Sequence, residues 1–122
     1  MYDEVSISEF VGKTFTEIRG MESGSDEVYF ETGSETYKMY HRSDCCESVD
    51  LDDVCGDPAD LIGTPILQAY DKDSGDAKAK GEYDESFTWT FYRLATIKGT
   101  VTLKWYGTSN GYYSEGVDIE RL

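Results

Sequence analysis

The stretch from Met39 to Asp57 holds the chain's only histidine, His41, and all three of its cysteines, Cys45, Cys46 and Cys55. Two kinds of chemistry could use them. Cys3His is a known zinc ligand set, but structural zinc sites usually pair ligands two to four residues apart, and adjacent cysteines on a strand point to opposite faces. A cysteine–histidine nucleophile would need a flanking turn, an oxyanion donor and an orienting partner, and no recognisable order of these follows. The thiols therefore read as small buried hydrophobes. A third constellation, Asp71, Asp73 and Glu82, has the spacing of calcium-loop ligands, yet Asp76 stands where the turn requires glycine. The expectation is no metal, no cofactor and no catalytic residue.

The aromatic and cationic residues are harder to set aside. There are ten tyrosines, a residue that supplies rigid contact area with a hydrogen-bonding tip. Exposed tyrosine can stack on a base, and arginine binds phosphate or carboxylate bidentately. Arg19, Arg42 and Arg93 are the candidate anion partners. The candidate ligand-binding set is Tyr40, His41, Arg42, Tyr92, Arg93, Tyr106, Asn110, Tyr112 and Tyr113. The competing reading is surface packing with local ion pairs.

Strands must position these residues. Thr14–Met21, Val28–Phe30 and Tyr37–Tyr40, separated by Gly/Ser turns, predict an antiparallel meander. Val49 and Leu51 alternate with acidic neighbours, and the alternation breaks near Asp53-Val54, which predicts a bulge or turn. Ile7–Gly12 predicts a helical turn capped by Ser8. Asp57–Gly63 predicts a short helix with Asp57 as N-cap and Pro58 in its first turn. Pro65–Tyr70 resumes as a strand and Asp71–Glu85 is a loop. The strongest signal is the hairpin of Phe87–Tyr92 and Val101–Tyr106. Its alternation places Phe87, Trp89, Val101, Leu103 and Trp105 in the core, with Tyr92 and Tyr106 on the opposite face. Tyr112-Tyr113 and Val117–Ile119 supply a final edge strand. The fold class is a β-rich α+β domain spanning 1–122, a mostly antiparallel twisted sheet with one or two short helices.

The net charge is −14, from 25 acidic and 11 basic residues. Such a field repels nucleic acid and anionic membranes, so neither is expected as a direct partner. It suits solubility or a basic protein partner, including one that normally holds DNA. The acidic start, the missing hydrophobic span and the odd cysteine count fit a reducing cytoplasm.

Three phrases occur together: Met39-Tyr40-His41 with Asp44-Cys45-Cys46-Glu47, the run Ser86–Tyr92, and Trp105-Tyr106-Gly107 with Ser109–Glu115. Through them the chain, from about Thr14 to near its C-terminus, resembles a family of small uncharacterised proteins encoded mainly by bacteriophages. The resemblance brings no catalytic residues. It implies a phage origin and the host cytoplasm, where small accessory phage proteins often counter host defence. The leading expectation is a non-enzymatic anti-defence protein, a homo-oligomer that binds and sequesters a small nucleotide-like immune signal. The alternative is an acidic inhibitor or DNA mimic that binds a basic host protein. An uncharacterised thiol enzyme is third.

Overall fold

Apolar residues that alternate with polar ones must form strands with one buried face, and here they pair into two antiparallel sheets. The structure, a computed structural model, describes residues 3–43, 47–72, 77–81, 84–111 and 114–122. The strands are β1 (Asp3–Glu4), β2 (Glu17–Arg19), β3 (Glu27–Glu31), β4 (Thr36–Tyr40), β5 (Ser48–Cys55), β6 (Gln68–Lys72), β7 (Ser86–Thr96), β8 (Gly99–Ser109) and β9 (Asp118–Arg121). The first sheet has the order β1-β9-β4-β3-β2 and the second β5-β8-β7-β6. The meander is present as β2-β3-β4. The final strand is not an edge: β9 lies between β4 and the short β1.

Both expected helices are single 3-10 turns, Ile7–Phe10 and Pro58–Leu61. Four residues are too few for an α-helix to repay its nucleation. Asp57 caps the second turn by accepting from the Ala59 N–H at 3.0 Å, and Gly63 turns the chain away at φ +87°. The first turn has Ser6, not Ser8, at its N-cap, and that side chain makes no capping bond. Its work is done by Phe10, which is fully buried and packs against Phe15, Phe30 and Tyr37 with ring centroids 4.9–5.1 Å away. Among the described residues no helix is long and apolar enough to cross a membrane.

The two sheets feed one core. Val28, Phe30, Tyr37, Met39 and Ile119 enter it from the first sheet, and Leu51, Leu94, Val101, Leu103 and Trp105 from the second. A bulge between Leu51 and Asp53, close to the expected break, re-aims the end of β5.

The β7–β8 hairpin corrects the expected faces. Thr96 pairs with Gly99, so Trp89 stands opposite Tyr106, Phe91 opposite Lys104 and Tyr92 opposite Leu103. Paired residues share a face. Val101, Leu103 and Trp105 are core as expected, but their partners on β7 are Leu94, Tyr92 and Thr90. Phe87 and Trp89 therefore lie on the outer face with Tyr106, and Tyr92 is buried.

This register predicts a contrast between neighbouring strand positions. Leu94→Ala should cost about 2–5 kcal/mol, the range for a buried leucine. Phe87→Ala should cost about 1 kcal/mol, the worth of an exposed aromatic stack. Urea unfolding of the two variants checks this, and the reverse order would refute the assigned faces.

Candidate ligand-binding face

The nine candidate residues fall into separate places. Tyr40, His41 and Arg42 follow one another at the end of β4, beside β9. The Tyr40 hydroxyl donates to Glu120 Oε2 at 2.7 Å and its ring lies 4.1 Å from Lys38 Nζ. Desolvation, then the bond to Glu120, raises the Tyr40 pKa. The Arg42 backbone N–H donates to Asp118, and its guanidinium lies 3.9 Å from Glu120. Asn110 is exposed in the turn after β8. Tyr112 and Tyr113 lie outside the described residues, as do Cys45 and Cys46 and the loop positions Asp73 and Glu82.

His41 is committed inside the fold. Its side chain is 4% exposed and that of Glu47 only 1%. Nδ1 lies 2.6 Å from the Gly116 carbonyl, which can only accept, so Nδ1 carries a proton. Nε2 lies 2.8 Å from Glu47 Oε1, joined through one shared proton. Both ring nitrogens are thus occupied in bridging the region after β4 to the irregular segment before β9. Cys55, by contrast, is exposed at the end of β5, with Sγ 3.6 Å from Asp53. Among the described residues no three His, Cys, Asp or Glu side chains are grouped to hold a metal.

Glu115, absent from the candidate set, and the candidate Tyr92, which is buried and not on the outer face as expected, hold the same segment. Glu115 is buried, and accepts from Thr88 Oγ1 at 2.8 Å and from Ser109 Oγ. Desolvation pushes its carboxyl up, but hydrogen bonds from Ser109, Ser86 and Thr88 outweigh that and hold it below the ordinary carboxylate range. The Tyr92 hydroxyl donates to the Val117 carbonyl at 3.4 Å. Burial, and then the negative charges of Asp71 and Asp118, raise the Tyr92 pKa well above that of a free tyrosine.

The remaining candidates, Arg93 and Tyr106, stand on the outer face of the second sheet. Pairing brings Tyr106 beside Trp89 and Phe87, with ring centroids 4.6 and 6.1 Å apart. Trp89 in turn meets Phe91 edge-on at 5.6 Å. Lys78, Lys80 and Asp84 reach onto this upper part of the face. Trp89 Nε1 donates to the Lys78 carbonyl at 3.0 Å, the Lys80 N–H donates to the Tyr106 hydroxyl at 3.0 Å, and that hydroxyl donates to Asp84 at 2.5 Å. Lys80 Nζ is paired with Asp52. Desolvation and the bond to Asp84 raise the Tyr106 pKa.

Below that span the face has a different composition. Phe91 pairs with Lys104 of β8 and with Lys72 of β6, while Arg93 pairs with Thr102 and Tyr70. Lys104 Nζ lies 5.6 Å from the Phe91 centroid, and Tyr70 is 41% exposed. Elsewhere Lys13, Arg19, Lys38, Arg42, Lys80 and Arg121 are ion-paired, while Lys98 Nζ donates to the Ile62 carbonyl and Lys78 has no ion pair among the described residues. Lys72, Arg93 and Lys104 make no ion pair among the described residues. Asp53 stands directly across from Lys104, yet its carboxylate accepts from the Val54 N–H at 2.9 Å instead. In a chain with a large excess of acid, three cations remain unpaired beside two aromatic rings. Sequence reasoning missed Phe91 because the opposite parity was expected for β7, and Lys72 because the expected loop began at Asp71 whereas β6 runs to Lys72; Tyr70 and Lys104 join them only through strand pairing.

Around the edge at β5 the surface is acidic. A cleft of about 440 Å³ is lined by Asp50, Asp52, Asp84, Lys80 and Tyr106. A neighbouring one of about 240 Å³ is lined by Asp26, Glu27, Tyr40, His41, Glu47 and Asp50. Partial burial, then the charge of Asp26, raises the Asp50 pKa against the opposing pull of Lys80.

Two predictions test the buried polar contacts. His41→Leu should cost about 3 kcal/mol in urea unfolding, since it removes the imidazole paired with the buried Glu47 carboxylate. Glu47→Gln, which can still bond to Nε2, should cost less than half as much. For Glu115, folding favours the ionised form. Its contribution is therefore complete above the ordinary carboxyl range and is lost as pH falls through the depressed folded value. Glu115→Gln should flatten the acid limb of stability against pH, and an unchanged limb would contradict the assignment.

A family model described as a domain of unknown function, DUF7448, matches residues 8–119. No curated protein matches, and no solved structure matches.

Proposed function

The chain belongs to the DUF7448 family, a domain of unknown function, and from its own surfaces we propose that it is a non-enzymatic phage accessory protein that sequesters a small nucleotide-like immune signal. The observation that carries this reading is the unpaired set Lys72, Arg93 and Lys104 around Phe91 and Tyr70. Aromatic rings on a sheet face offer stacking worth about 1–3 kcal/mol per base, and guanidinium and ammonium groups beside them receive phosphate. The host cytoplasm, where such a signal would accumulate, is the proposed compartment.

Arginine at this position should matter more than an ordinary surface charge. Native mass spectrometry of protein purified from bacteria that express nucleotide-based defence should show a bound mass, released chemically unchanged on denaturation. Arg93→Ala should reduce retention about ten-fold or more, the scale of one charge-assisted hydrogen bond, with an unchanged melting temperature. A cleaved ligand, or an Arg93→Ala variant that retains it fully, would sink the reading.

A second reading rests on the acidic clefts, where Asp50 and its carboxylate neighbours suit a basic side chain of a host protein. Such binding would weaken steeply with added salt.

A further inference from the structure

Between Lys72, the last residue of β6, and Ser86, the first of β7, lies a connection longer than its task requires. The two strands are antiparallel neighbours, and such a hairpin closes with about 2–5 residues. Here the described residues of the connection cross the sheet instead. Lys78 reaches Trp89 of β7, Lys80 reaches Tyr106 of β8, and the Lys80 ammonium ends on Asp52 of β5, at the opposite edge. What they cover is aromatic: Tyr106 with Trp89 and Phe87 against it, and Phe91 beyond Trp89. Among the described residues of the connection none is buried. Lys78, Lys80 and Gly81 are exposed, and Ala77, Ala79 and Asp84 are half-buried.

A latch of hydrogen bonds around one hydroxyl holds the connection down. The Tyr106 hydroxyl accepts from the Lys80 N–H at 3.0 Å and donates to Asp84 Oδ2 at 2.5 Å. The Gly81 N–H donates to that same carboxylate oxygen at 3.0 Å. Glycine suits this corner, because a Cβ on Gly81 would stand 2.9 Å from both Asp84 carboxylate oxygens. Trp89 Nε1 is taken by the Lys78 carbonyl. The polar tips of Trp89 and Tyr106, through which such side chains orient a ligand, are thus filled by the chain's own backbone. Polar contacts at a surface are each of small net worth, so such a stretch opens well before the sheet unfolds. We infer that the connection is a built-in occupant of the Trp89–Tyr106 surface, an autoinhibitory cover that a ligand spreading over the outer face must displace. Closed, the face offers Phe91 and Tyr70; open, it offers Trp89 and Tyr106 as well. This rests on the proposal that the outer face binds a ligand, and it adds what controls access there.

Gly81→Ala tests this without altering the aromatic surface. The added methyl displaces the Asp84 carboxylate, the free end of a side chain, and Gly81 has no left-handed φ, so the melting temperature should hold. Asp84→Ala opens the same latch from its other side and should behave alike. In both variants hydrogen exchange at the Lys80 amide should quicken at least about ten-fold. Acrylamide should quench Trp89 more strongly, while the fully buried Trp105 stays protected. Titration with ATP, and with anilinonaphthalene sulfonate as an aromatic anion that is not a nucleotide, reads the consequence. A closed cover lowers apparent affinity by the fraction of molecules that are open, so the variants should bind about five-fold more tightly or better. Trp89→Ala added to Gly81→Ala should remove that gain. Unchanged exchange at Lys80 overturns the latch. Faster exchange with unchanged or weaker binding of both probes, or a gain that survives Trp89→Ala, overturns the inhibition. A gain for the sulfonate with ATP bound to no variant supports the cover and sinks the nucleotide reading instead.

Discussion

Thr96 pairs with Gly99 across the turn residues Ile97 and Lys98, and every later pair in the β7–β8 hairpin inherits that offset. Side chains alternate strictly between faces, so the turn decides which half of each strand meets the core. With this offset Trp105, Leu103 and Val101 are buried over Thr90, Tyr92 and Leu94. A slip of one residue on β7 would turn Leu94 and Tyr92 outward and bring Arg93 and Phe91 inward, against a core already filled. The turn is itself anchored. Thr96 Oγ1 donates to the Asp60 carbonyl and Lys98 Nζ donates to the Ile62 carbonyl at 2.7 Å. The 3-10 turn capped by Asp57 thus holds the end of the hairpin from which register is counted, and the outer face follows from it.

A second constraint lies where the two sheets are joined. Three consecutive residues, Glu115, Gly116 and Val117, each contact a distant part of the chain through a polar atom. Glu115 takes hydroxyl bonds from β7 and β8, the Gly116 carbonyl takes the His41 proton, and the Val117 carbonyl takes the Tyr92 hydroxyl. The segment leads directly into β9, which lies inside the first sheet. Buried polar groups are costly unless satisfied, so these contacts fix one relation between the second sheet and the strand that follows. The only histidine serves this purpose, with both ring nitrogens engaged.

These roles were unequally legible in the sequence. The meander, the hairpin and the Asp57-Pro58 turn follow from local alternation and turn chemistry, and all are present. The faces of β7 were not legible from alternation, because Phe87, Trp89 and Phe91 are more apolar than the buried parity at the strand's start. Only Leu94 near the turn, and the pair offset, distinguish them. The place of β9 depends on pairing with residues some eighty positions earlier, which no local pattern encodes. At the site, Arg93 and Tyr106 could be chosen by residue type. Lys72, Phe91 and Lys104 become a set only when three strands are laid side by side. Glu47 is not marked as the partner of His41 by any local pattern, because a carboxylate six positions away in an acidic stretch reads as solvent-facing until the chain folds back.

The charge distribution bears on what such a face can select. A net charge of −14 repels any polyanion that approaches along many Debye lengths of surface, each roughly 8–10 Å at ordinary salt. A long duplex meets the acidic clefts beside β5 as well as the outer face, and each added phosphate brings repulsion rather than further cation contacts. A small ligand seated over Phe91 and Tyr70 meets Lys72, Arg93 and Lys104 at contact distance, where screening by salt is least effective. On the proposed reading, the acidic remainder of the surface would act as a size filter on anions, favouring ligands that fit among Lys72, Arg93 and Lys104. For such a ligand the overall field would slow association, so retention would come from slow release, through stacking and paired phosphate contacts. A protein that sequestered a signal as proposed would need that balance, because its effect would depend on residence time and copy number rather than turnover.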